Sequence, residues 1–256
     1  MKYHCSHCFS GKGLIEKMKT DPLRLLYVGM TGAILTIIGD FLLLGVDSTA
    51  GGGGLFDKYL EIASKISYTR IGLAGFFGFL GIPLTAIGFL ALYRMTTENK
   101  SRLANVYQLS ILLSFGALGG GVHLICCYLV AGMKMNLEIG TADVVRAVFD
   151  QQAGFLVPSF LLFFAVYAVA CISMIVLIAS GRPSLPKWMG ILNPIVMKLA
   201  INSLGRLGTS AFWNGIACSN MSLGALILLL AWRIADKRFR RQKEGSGSFQ
   251  APRPQQ

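Results

Sequence analysis

Residues Leu25–Val46 read LLYVGMTGAILTIIGDFLLLGV. A run of about 20 apolar residues is long enough to cross the hydrocarbon core of a bilayer. One ionisable residue, Asp40, sits in its second half. The rest of the chain repeats the pattern, with long apolar runs that carry an occasional polar residue and are joined by short loops. The expected class is an all-α integral membrane protein.

Composition supports that class. Of 256 residues, 54% are hydrophobic and 14% are charged, against about 25% charged in a soluble domain. Thirty glycines suit closely packed membrane helices. The net charge of +12 could indicate a nucleic-acid partner, but the charges are sorted by side of the membrane, so no nucleic acid is expected. Cys126, Cys127, Cys171 and Cys218 lie in apolar runs, where free cysteine behaves as a small hydrophobe. Leu25–Val46 is too long for a signal-peptide core and no A-x-A site follows it, so it is read as the first span.

Six spans are expected: 25–46, 71–93, 103–131, 155–180, 188–204 and 213–232. The fifth is short and interrupted by Asn193–Pro194. Two amphipathic segments, Leu55–Ser67 and Leu137–Gln152, are expected to lie on the outer membrane surface. The membrane domain is therefore 25–232. A basic cytoplasmic tail precedes it at 1–24, and a basic, disordered tail follows at 233–256. Seventeen lysines and arginines fall on the side that holds both termini and seven on the other, with five and seven acidic residues respectively. The net charges are +12 and zero. The positive-inside rule then places both termini in the cytoplasm and the chain in the plasma (inner) membrane. No internal repeat of three spans is evident, which weighs against the inverted-repeat transporters.

With this topology, the polar residues within spans concentrate at one depth. Asp40 and Lys198 lie ~9 Å from the outer ends of their spans and His123 ~12 Å from its own, at 1.5 Å per residue. Asn202, Arg206 and Asn214 lie nearer the surface. A charged residue at the centre of a span costs about 2.5–3.5 kcal/mol. Several such costs at one level point to a shared cavity or mutual pairing. The candidate ligand-binding set is Asp40, His123, Lys198, Asn202, Arg206 and Asn214. The competing reading makes each a packing contact, an interfacial snorkel or a loop residue. Gly72, Gly75, Gly78 and Gly81, at intervals of three, read as helix packing, as do Gly119–Gly121. Pro83, Pro158 and Pro194 read as kinks.

In the N-terminal tail, HCSHC places Cys5 and Cys8 at half of a zinc-site spacing, with no second pair in a soluble segment. The prevailing reading there is a reduced tail without metal. No catalytic or cofactor signature stands out. A triad of Asp40, His123 and Ser210 or Thr209 is conceivable, but no spacing demands it.

The order of motifs resembles a group of uncharacterised bacterial multi-pass proteins, domain of unknown function 6796. The matching pieces are GDFLLLG in span 1, the glycine-rich span 2 opened by Arg70, GGGVHL in span 3, Pro158 in span 4, PKWMGILNP before span 5, and the Gly/Asn-rich start of span 6. They cover about residues 25–232. The resemblance implies the same span count and draws attention to Asp40 and His123, and it brings no activity with it.

Three functions follow from the sequence: a membrane protein whose outward-facing pocket binds a small molecule or lipid, a membrane-embedded enzyme using Asp40 and His123 as acid and base, or an interaction subunit without a ligand.

Overall fold

A computed structural model describes residues 21–47, 54–96, 101–180 and 186–247. Cys5 and Cys8 lie outside the described residues, as do the rest of 1–20 and all of 248–256. The expected disordered tail is instead helical over 233–247, where the last helix continues past the apolar run to Gly247. The described chain is helical and contains no strand. Its elements are α1 (Pro22–Leu44), α2 (Leu55–Lys65), α3 (Tyr68–Thr96), α4 (Arg102–Ile139), α5 (Ala142–Ala179), α6 (Pro194–Leu204), α7 (Ala211–Cys218) and α8 (Asn220–Gly247). Short 3-10 turns at Lys187–Leu192 and Gly205–Leu207 flank α6.

α1, α3, α4 and α5 are each long and apolar enough to cross a membrane, and α7 with α8 would make a fifth such unit. Only 44–50% of the most apolar stretch of α1, α3, α4 and α5 is buried inside the protein. The outward faces carry Phe76, Tyr128, Phe155, Leu161 and Ile172. A soluble monomer rarely exposes so much contiguous apolar surface, whereas helices apolar all round suit a membrane-embedded protein.

Two of the expected spans take a different form. α6 has 11 residues, about 16 Å at 1.5 Å per residue, or about half of a 30 Å hydrocarbon core. Asn193 and Pro194 start it rather than interrupt it. The Asn193 side chain accepts from the Ile195 N–H, and Pro194 fills the first helical position, where a missing N–H costs nothing. Asp21–Pro22 starts α1 in the same way. The final apolar run bends by 68° between α7 and α8.

The amphipathic segments also differ from each other. Leu55–Lys65 is a separate helix that buries Tyr59, Ile62 and Ala63. Leu137–Gln152 is not a surface helix. It is the tip of a hairpin in which α4 runs to Ile139 and α5 starts at Ala142. Its polar residues belong to the adjoining ends of two 38-residue helices. Phe149 of α5 meets Phe56 and Tyr59 of α2, so α2 packs against this tip.

α1 and α3 pack most intimately. Gly29, Gly32, Thr36 and Gly39 on α1 face Gly88, Thr85, Gly81 and Gly78 on α3, with spacings of three, four and three in both helices. A Cβ on Gly32 would lie 2.5 Å from the Thr85 nitrogen, and one on Gly81 would lie 2.5 Å from the Thr36 hydroxyl. Backbone approach of this kind replaces hydrophobic driving force with dispersion contact. The expected stripe is therefore divided: Gly78 and Gly81 pack on α1, Gly75 faces Leu124 and Cys127 of α4, and Gly72 faces open space. Arg70 clamps the C-terminus of α1, where its guanidinium donates to the carbonyls of Phe41 (3.1 Å), Leu42 (2.5 Å) and Gly45 (2.6 Å). A cation there also meets the negative end of the helix dipole.

α8 runs antiparallel to α1. Ser222 lies beside Asp40 at one level, and Arg233 donates to the Tyr27 hydroxyl at another, 2.9 Å away. Apolar side chains form two separate cores. One gathers Leu26, Phe89, Tyr107, Tyr167 and Leu228 near the end that holds Pro22. The other gathers Leu43, Ile62, Leu129, Met133 and Val145 near the end that holds α2.

Candidate functional site

A cavity of about 220 Å³ lies between the two cores. At about 30 Å³ per water it would hold roughly seven waters. Aromatic side chains form its floor: Phe115 packs edge-on to Phe163, with ring centroids 6.0 Å apart, and Phe160 stacks on Phe164 at 5.6 Å. Tyr59 of α2, Leu43 and Leu44 close the opposite side. Phe115 and Gly119 reach the cavity from Leu112–Gly119, a stretch of α4 wound as a π-helix. Such stretches are frequent at functional sites.

The polar groups converge from four helices. Asp40 of α1 and His123 of α4 face each other, with Nδ1 3.6 Å from Oδ1. The Ser222 hydroxyl of α8 donates to the other carboxylate oxygen, Oδ2, at 3.2 Å. The second imidazole nitrogen, Nε2, lies 3.0 Å from the carbonyl oxygen of Ala74 on α3. A carbonyl can only accept, so Nε2 carries a proton and donates it. That fixes the tautomer: in the neutral ring Nδ1 is a lone pair, and it points at Asp40. A proton held between Oδ1 and Nδ1 would satisfy both groups. At 3.6 Å the two atoms lie beyond direct hydrogen-bond distance, and one bridging water or a small closure would join them.

This geometry rules out a Ser-His-Asp relay built from these residues. Both nitrogens of His123 are committed, to Ala74 and toward Asp40, and Ser222 is bonded to the carboxylate rather than to the imidazole. Ser210 and Thr209 are exposed, in the connection before α7, and do not line the cavity.

Glycine makes the histidine position possible. A Cβ on Gly78 would overlap the imidazole ring of His123. α3 therefore supplies both the space for His123, at Gly78, and its hydrogen-bond acceptor, at Ala74.

Of the six candidate ligand residues, Asp40, His123 and Lys198 line the cavity. Lys198 lies on α6, with its ammonium 4.1 Å from the centroid of the Phe164 ring. Asn202 is half-buried on α6 and does not line the cavity. Asn214 ties the chain behind α1, where its amide donates to the carbonyls of Val46 (2.7 Å) and Thr209 (3.0 Å). Arg206 lies in the turn Gly205–Leu207, and its side chain is outside the described part. Ser222, Asn220, Thr36 and Tyr59 also line the cavity and were not anticipated. A serine or threonine in an apolar run has no distinguishing pattern, because it can bond its own helix, as Thr36 does to Gly32 at 2.9 Å. Among the described residues, no group of three or more His, Cys, Asp or Glu could hold a metal ion.

The overlap at Gly78 makes a double-mutant cycle informative. Gly78→Ala should destabilise the protein by about 1–3 kcal/mol, as overpacking does. In a His123→Ala background the same change should cost little, since the overlapping ring is gone. Gly72→Ala, which faces open space, should be near neutral. Thermal unfolding in detergent reads all three, and equal costs for Gly78→Ala in both backgrounds would contradict the packing described.

No curated protein and no solved structure matches the chain. The model of a family of unknown function (DUF6796) matches residues 18–237. The match spans every described helix except the last turns of α8, and with it the whole cavity, so the chain belongs to the DUF6796 family.

Proposed function

We propose that this is a multi-pass membrane protein whose cavity is a ligand pocket in the outer half of the bilayer, binding a small molecule or lipid. The chain passes through the bundle six times: α1, α3, α4, α5, the half-length α6, and the bent α7–α8 unit. Both termini lie in the cytoplasm of a cell whose plasma membrane holds the protein, with the membrane domain at 25–232 between two basic tails. The charge asymmetry of the loops supports this orientation, and the contact between Tyr27 and Arg233 supports both ends sharing one side. In this orientation α2 and the α4–α5 tip cap the pocket from outside.

One observation carries the pocket reading. Asp40, His123, Ser222 and Lys198, from four helices, converge on one cavity between two otherwise apolar cores. If these groups served only as interhelical glue, they would be expected to close on one another. A second reading, a membrane-embedded enzyme, draws support from the 3.6 Å approach of Asp40 to His123. A group that holds one shared proton can act as acid or base if the substrate atom comes within about 3 Å.

Native mass spectrometry of the gently extracted protein tests the pocket. A co-purifying ligand is expected in the wild type and is expected to be lost in Asp40→Asn and His123→Ala. Absence of a ligand from every sample, with a large stability loss in both variants, would favour the interaction-subunit reading. The orientation is tested separately by single cysteines in a background lacking the native ones. At Lys58 and Asp143 they should react with an impermeant maleimide added to intact cells, and at Arg102 and Lys187 they should not. The reverse pattern would overturn the orientation.

A further inference from the structure

We infer that the pocket takes a single-chain amphiphile with a carboxylate head, such as a long-chain fatty acid, and that Lys198 recognises the head. The inference rests on the pocket reading and names its ligand. Among the described residues, Lys198 is the one lysine or arginine that lines the cavity, and no anion lies beside it. Asp40 is faced by His123 and accepts from Ser222, so its carboxylate has partners other than Lys198. Lys198 has no carboxylate and no hydrogen-bond acceptor among the described residues, only the face of Phe164. An ammonium carries three donors, and half-buried beside aromatic rings it gains from an anion that accepts from them. Asn220, Met221 and Ser222 form the first turn of α8 and also line the cavity. The start of a helix is the positive end of its dipole and favours the same sign of ligand. No second anionic side chain lines the cavity to oppose it.

Much of the remaining wall is apolar: Ile82, Phe115, Phe163, Phe164 and Met221 suit an alkyl chain. The seam between α5 and α6, which pack sparsely, would give that chain a route. Phe160, Phe164 and Lys198 lie on the cavity side of this seam, and Leu161 and Leu199 lie exposed on these same two helices. In a bilayer the chain would pass between the helices into lipid. About 220 Å³ has room for a head and the first part of one chain, not for a two-chain phospholipid head with its glycerol.

The test compares oleate with oleyl alcohol, which has the same chain and no charge. The full protein is placed in nanodiscs of zwitterionic lipid, and binding of each radiolabelled probe is measured by scintillation proximity. Oleate should bind roughly tenfold or more tightly than the alcohol, since a charge-assisted bond separates them. Lys198→Met should abolish that preference, so that the two probes bind alike, whereas Lys198→Arg should retain it. Excess phosphatidylglycerol should not displace oleate. Equal binding of the two probes to wild type, or a preference that survives Lys198→Met, would overturn the head-group assignment while the pocket itself stood. Displacement by phosphatidylglycerol would overturn the single-chain assignment. Failure of both probes to bind wild type would overturn the ligand class, and the co-purification experiment would then decide the pocket separately.

Discussion

Asp40 and His123 belong to helices on either side of α3, and they meet because α3 carries no side chain at Gly78. Any Cβ there would occupy the space of the imidazole. Beside that gap, the Ala74 carbonyl accepts from Nε2 and turns Nδ1 toward the carboxylate. The same stretch of α3 approaches α1 so closely that Gly39, one residue before Asp40, rests against Gly78 from the other side. One small residue therefore fixes both the helix spacing and the side-chain pair. The energetic logic is that of an apolar medium: association comes from close backbone contact and satisfied polar groups rather than from expulsion of water.

The rest of the architecture holds this arrangement in register. Arg70 grips the last carbonyls of α1 and limits how far the helix bearing Asp40 can move. Asp47, just past α1, accepts from the Ala211 N–H at the start of α7 and, through its carbonyl, from Lys65 of α2. The bend between α7 and α8 brings the first turn of α8 to the cavity, and Ser222 comes with it. The polar groups thus sit on helix backbones, the more rigid of the available supports, while the apolar cores on either side leave the space between them open.

Much of this was legible in the sequence, for a physical reason. An Asp, a His and a Lys in apolar runs are expensive wherever they face lipid, so each announces itself, and the structure brings all three to one cavity. Ser222 was not legible, because a hydroxyl in a membrane helix ordinarily bonds its own backbone. The glycines of α3 were visible as a stripe. Their partners on α1 were not, because Gly29, Gly32, Thr36 and Gly39 mean little until the antiparallel neighbour is known. The sixteen residues at Leu137–Gln152 misled because acidic residues at helical spacing look the same on a surface helix and on the ends of two long ones. Asn193–Pro194 misled because the pair reads as a break within a span, whereas its chemistry is that of a helix start.

Asp40 and His123 form one unit, with the imidazole oriented by α3 and its remaining nitrogen turned to the carboxylate. Solid-state NMR of histidine-labelled protein in bilayers tests this most directly, because ¹⁵N shifts distinguish the two ring nitrogens. Nε2 of His123 should be the nitrogen that always bears hydrogen. Nδ1 should couple through space to the Asp40 carboxyl carbon, and this coupling should disappear in Asp40→Ala while the Nε2 signal persists. A ring with its proton on Nδ1 and a bare Nε2, or an Nδ1 signal indifferent to the loss of Asp40, would contradict it.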